Sequence, residues 1–145
     1  MSSDRLPGVT AADEAFVAAF HAHQLSNQGF HHRHHLRLAW VQIRRLGLDE
    51  ASEVVTTGIR RFAAHHGGIE RYNDTMTRFW LRLVNLGISR HPELTFDELL
   101  AAEPHLLDKN LPFRHWSLER MNRDDAKQQW VEPDLHPMPA AWAHP

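Results

Sequence analysis

"FHHRHHLRLAWVQIRRLG", residues 30–47, decides the fold. Behind four histidines in five positions, Leu36, Ala39 and Ile43 recur three and four residues apart, the period of a helix with one apolar face. Gly47 stops that helix, and Arg44 and Arg45 fall in its last turn, where cations suit the dipole. The stretch predicts a helix from about Gln28 to Gly47 with imidazoles at its start.

The same period continues on both sides. Upstream, Thr10 followed by Asp13 and Glu14 reads as a helix cap, and Phe16, Val17 and Phe20 supply the stripe of a helix ending near His23. Downstream, Asp49 caps a third helix that carries Val54, Val55, Ile59 and Phe62 to Gly67 and Gly68. A fourth is predicted from Ile69 to Leu86 on the stripe Tyr72, Met76, Phe79 and Leu83, closed by Gly87. Thr95 with Glu98 forms a capping box for a short fifth helix, "FDELLAAE", stopped by Pro104. "HLLDKN", "SLERMN" and "RDDAKQQWV" are further short helical pieces. "EPDLHPMPAAWAHP", residues 132–145, holds four prolines in fourteen residues and reads as extended. With no alternation long enough for a strand and no internal repeat, the expectation is all-α. It is a single domain, residues 1–145, forming a bundle of four to six helices with an extended proline-rich C-terminal tail. Residues 1–9 and 136–145 are expected to be extended or flexible.

Composition narrows the function. The chain has 145 residues, 42% hydrophobic and 23% charged, close to globular averages. It has no cysteine, which excludes disulfides, thiolate metal ligands and thiol nucleophiles. The net charge is -2 and its 16 basic residues are dispersed, leaving no footprint for nucleic acid. The start lacks a basic segment leading into an apolar one, and no apolar run could span a bilayer, so a cytoplasmic protein is expected. The unusual feature is 13 histidines.

Helical spacing sorts them. His32 falls on the Leu36, Ala39 and Ile43 stripe and His35 at its edge, an H-x-x-H pair that can put two ring nitrogens on one substrate or one metal ion. His31 and His34 read as solvated, as do His65 and His66 near a helix end. A core histidine satisfied by a hydrogen bond is the plainer account of His32. A second polar intrusion is Asn73 and Thr77, both poor helix-interior residues, beside the apolar stripe of the fourth helix, with Asp74 and Arg78 on other faces. Either they serve local hydrogen bonding, or the two intrusions share one polar site. His115, in a loop before a predicted Ser117 cap, is placed to close over a pocket, although a plain loop with a core Trp116 is the simpler account.

Four segments carry a resemblance: "FHHRHHLRLAW" (30–40), "GIRRFAAHHG" (58–67), "RYNDTMTRFW" (71–80) and "WVEPDLHPMP" (130–139), together spanning about three-quarters of the chain. The pattern resembles a family of small bacterial helical proteins and, through it, the cyclodehydratases of 2-nitroimidazole (azomycin) biosynthesis. That resemblance implies a biosynthetic lyase closing a guanidino aldehyde to 2-aminoimidazole with loss of water. It implies His32 and His35 as the acid/base pair, one neutral and one protonated, assisted by Asn73, Thr77 and His115, with Glu70, Asp74, Arg78 and Trp80 holding the substrate. Many members of the family carry histidine where this chain has Asn73, which counts against a three-histidine metal site. Dehydration needs no redox cofactor, and no glycine-rich nucleotide loop is present.

Two other readings stay open. His32 and His35 with Asp74 or Glu70 would make an N/N/O set for Zn, Fe or Ni. A non-catalytic protein could instead use Trp130 and Trp142 to bind a partner. A small-molecule substrate and a homodimer are the expected associations, without nucleic acid or membrane.

Overall fold

A computed structural model describes residues 8–143. Among the described residues every regular element is a helix or a 3-10 turn, so the protein is all-α. Four longer helices build the body: α1 (Ala11–His21), α2 (His32–Leu46), α3 (Leu48–His65) and α4 (Asp74–Arg90). Shorter ones follow: α5 (Phe96–Ala102), α6 (Leu118–Met121), α7 (Asp124–Gln128) and α8 (Ala140–Ala143). No helix among the described residues is long and apolar enough to cross a membrane.

The central helix is α2, which packs against α1, α3 and α4. The sequence stripe underestimates it: Leu38, Trp40 and Val41 are buried together with Leu36, Ala39 and Ile43, because neighbours cover more than one face. Even Gln42 is enclosed, its amide 3.1 Å from His21 Nε2. One apolar cluster runs from Val9 through α1–α4 to Val131, with Trp40, Trp116, Phe20 and Phe79 as its largest members.

Helix starts are set by caps. Thr10 and Asp13 form the expected reciprocal box, and Thr95 with Glu98 another. Helix α2 begins later than the sequence suggests, at His32, because His31 takes the extended cap conformation and its N–H donates to His34 Nδ1 at 3.0 Å. Gly47, at φ 83°, is at once the last cap of α2 and the first of α3, so Asp49 falls in the first turn of α3 and caps nothing. The predicted fourth helix is broken. A 3-10 turn at Ile69–Arg71 comes first, then Asn73 caps α4, its Oδ1 accepting Met76 N–H at 2.9 Å. Gly87 does not close α4, which runs on to Arg90; a Cβ there would lie 3.1 Å from Leu99 Cδ1, so the glycine admits α5.

The chain ends differ from expectation where they are described. Val9 is buried, whereas residues 1–7 and 144–145 lie outside the described residues. The tail is irregular to Pro139 and then makes the turn α8. Trp142 packs against His115 and Phe79, and Trp130 sits edge-on to Trp116 beneath the Arg82 guanidinium. The two aromatics expected to offer a partner surface are packed on their own chain.

Candidate active site

The first turns of α2 and α4 face each other across a cavity of about 340 Å³. From α2 come His32, His35 and Ala39; from α3, Val55 and Ile59; from α4 and the segment before it, Arg71, Tyr72, Asn73, Met76, Thr77 and Trp80; Lys109 joins from the loop after α5. The two intrusions read from the sequence therefore do line one space.

His32 is half-buried, its ring 4.4 Å from that of Trp80 in an edge-on contact. Its Nε2 lies 2.7 Å from the Leu106 carbonyl, which can only accept, so Nε2 carries the proton and Nδ1 keeps its lone pair. Burial lowers its pKa; the Leu106 bond works the other way. His35 Nδ1 donates to the His31 carbonyl at 3.2 Å, which leaves the Nε2 lone pair without a partner among the described residues. Burial pushes this imidazole down to about 4, helped by the neighbouring His32 and His34 and opposed by the His31 carbonyl. Both shifts run toward the neutral ring, which works against an arrangement of one neutral and one protonated histidine.

Lys109 lines the same cavity, and among the described residues no carboxylate does. Asp74, expected to grip a guanidinium, is buried and already holds two: Arg78 Nε at 2.6 Å and Arg60 Nη2 at 3.1 Å, with the Tyr72 hydroxyl donating at 2.8 Å. Burial works to raise the Asp74 pKa, but these three donors outweigh it and hold it below the usual value. Burial and the adjacent carboxylate in turn push the Tyr72 phenol well above its ordinary range. Arg78 also reaches Glu53, and it does not line the cavity. Glu70 is exposed on the 3-10 turn and offers only its carbonyl, to Lys127.

Asn73 and Thr77 line the cavity. The Asn73 amide donates to the Met121 carbonyl at 2.7 Å and keeps a second N–H, and the Thr77 hydroxyl donates to the Asn73 carbonyl at 3.0 Å. His115 lies outside the cavity lining: its Nδ1 donates to the His136 carbonyl at 3.0 Å, and it fastens the tail. Among the described residues no three His, Asp or Glu side chains gather as a metal-binding group, since Asp74 is enclosed by arginines and Glu70 is elsewhere.

Sequence reasoning passed over Arg71 and Lys109 and took Tyr72 for core. Arg71 and Tyr72 sit in the break before α4, which the unbroken helical reading concealed; Lys109 arrives by a long-range contact that leaves no local signal. His34, read as solvated, packs its ring near Phe16 and Phe30.

The fold and cavity define a class, an all-α protein whose central helix presents two imidazoles to a cavity between helices. No protein-family model, curated protein or solved structure matches the chain.

Proposed function

We propose that the protein is a carbon–oxygen lyase that removes water from a small molecule held in the cavity. The observation that carries this reading is His35: an unprotonated Nε2 with no partner, in a wall that also contains a lysine and no carboxylate. In the reaction, the proton on the atom next to the carbinol carbon passes to His35 Nε2. Its electron pair forms the new double bond as the carbon–oxygen bond breaks, and Lys109 donates the proton that lets the oxygen leave as water. Lysine and imidazole exchange protons with solvent to reset. His32, tied to the Leu106 carbonyl and lodged against Trp80, orients the substrate with its open Nδ1.

The same two proton transfers serve a cyclic hemiaminal, the species a guanidino aldehyde forms on closing, so the azomycin-type cyclodehydration belongs within this class. Its guanidinium, however, finds no carboxylate in the wall. No redox cofactor enters such a reaction. A metal role for His32 and His35 would need ligands from solvent or substrate beyond the two imidazoles.

The test is a turnover panel of hydroxy acids, hydroxy aldehydes and the guanidino aldehyde, read by absorbance of the conjugated product. Turnover of one of them, lost by about 100-fold or more in His35→Ala, is the expected result. Turnover that persists in His35→Ala overturns the proton-transfer role.

A further inference from the structure

Beside the main cavity lies a smaller one of about 180 Å³, walled by Asn27, Phe30, Phe62 and His66 and sharing His35, Ile59, Arg71 and Tyr72 with the first. Three observations describe its chemistry. Arg71 lines both spaces and, among the described residues, its guanidinium has neither a carboxylate nor a hydrogen-bond acceptor, unlike those of Arg60 and Arg78. The His66 Nε2 is a buried side-chain nitrogen without a hydrogen-bond partner. Among the described residues no Asp or Glu lines either cavity.

A buried polar atom without a partner is costly, and a planar cation without a counter-ion is a receptor for a carboxylate. The two line one small cavity, Arg71 from its exposed rim, with Phe30, Phe62 and Tyr72 among the other walls. Gly68 holds the arrangement: the Arg71 guanidinium folds over it, and a Cβ at that position would lie 2.5 Å from Arg71 Nη2.

We propose that the smaller cavity is a carboxylate-binding subsite, so that the substrate of the histidine site is a hydroxy acid and not a cation. The carboxylate accepts two hydrogen bonds from the Arg71 fork and one from His66 Nε2–H, with the Asn27 amide as a further donor, and the hydroxyl-bearing carbon is directed toward His35, which stands in the wall common to both spaces. The inference rests on the active-site reading for the direction of the substrate; the anion grip itself requires no turnover.

The test is therefore binding, with small hydroxylated probes that are anionic, neutral and cationic: 3-hydroxybutyrate, butane-1,3-diol and 2-guanidinoethanol, titrated against the whole chain and followed through the imidazole C–H resonances. The acid is expected to bind at least about tenfold more tightly than the diol, with the His35 and His66 signals shifting together. Arg71→Gln should erase the preference. So should Gly68→Ala, which keeps the arginine and displaces it; Gly68 has φ −123°, which alanine adopts, and the atom that must move is the end of a flexible side chain. Thermal melts establish that each variant is folded. Equal binding of acid and diol, tighter binding of the guanidinium, absence of binding by the acid, or a preference that survives in both variants each overturns the subsite. If the wild-type protein prefers the acid and turns over no compound, the subsite stands and the lyase reading fails. Turnover without charge preference does the opposite: the lyase reading stands and the subsite fails.

Discussion

Two polar groups intrude on the same helical core, His35 in the first turn of α2 and Asp74 in the first turn of α4, and they end in opposite conditions. Asp74 is a charge with every valence answered: two arginines and a phenol converge on one carboxylate. His35 is neutral, holds one hydrogen bond through Nδ1 and leaves Nε2 open beside a cavity. The sequence places His35 at the edge of an apolar stripe and Asp74 on another face, and does not show which of them has its partners complete. The difference teaches that a buried polar residue serves the fold when its partners are complete, and is available for chemistry when one of them is missing.

The comparison can be broken most directly at its closed side. Asp74→Ala strands Arg60, Arg78 and the Tyr72 hydroxyl around an empty position, and should lower unfolding free energy by about 3 kcal/mol in urea titration. A change under about 1 kcal/mol would mean the cluster is solvated and ornamental.

Acidification should separate the two regions on one curve. Unfolded His35 takes a proton near 6.5 and the folded residue near 4, so between those values the unfolded chain binds more protons and stability rises with pH. That contribution, up to about 3 kcal/mol, is complete above pH 6.5 and lost as pH falls toward 4. His21, His32 and His34, also lowered by burial, act in the same direction. Asp74 has a depressed folded value, so its share is present above 3.8 and disappears only below it. Denaturation curves from about pH 3 to 8 should therefore show His35→Gln flattening the upper part and Asp74→Asn the lower. Interchanged effects would invert the assignment.

A smaller loss should follow at Thr75, whose hydroxyl lies 2.9 Å from the Ala126 and Gln129 carbonyls and accepts the Val131 amide at 3.2 Å. Thr75→Val leaves that buried amide unpaired and should cost about 2 kcal/mol, with the cavity's binding properties unchanged. The least effect belongs to the exposed Arg33–Asp97 pair, where Asp97→Ala should change stability by under about 0.5 kcal/mol because solvent already screens it. A larger loss there would show that α5 depends on the pair.

What the sequence yielded depended on the range of the interaction. Capping boxes at Thr10 and Thr95 lie within three residues and were legible, as was the apolar period of α2. The pairing of His32 and His35 with Asn73 and Thr77 around one space was also anticipated. Lys109 and the Leu106 carbonyl, by contrast, reach His32 from more than seventy residues away, and nothing in their own neighbourhood marks them. Asp74 reads as lying on another face of one helix through residues 69–86; in the structure α4 starts at Asp74 behind the Asn73 cap, and the carboxylate is buried among partners from α3 and α4.

The single glycine between α2 and α3 also sets a phase. With one residue joining two helices, the rotation of α3 about its axis is geared to that of α2, and each inserted residue would advance it by about 100°. Val55 and Ile59 would swing out of the wall they complete, leaving both helices whole and the chamber dismantled. A chain that gained a residue at position 47 would therefore keep its fold class while losing the cavity between its central helices.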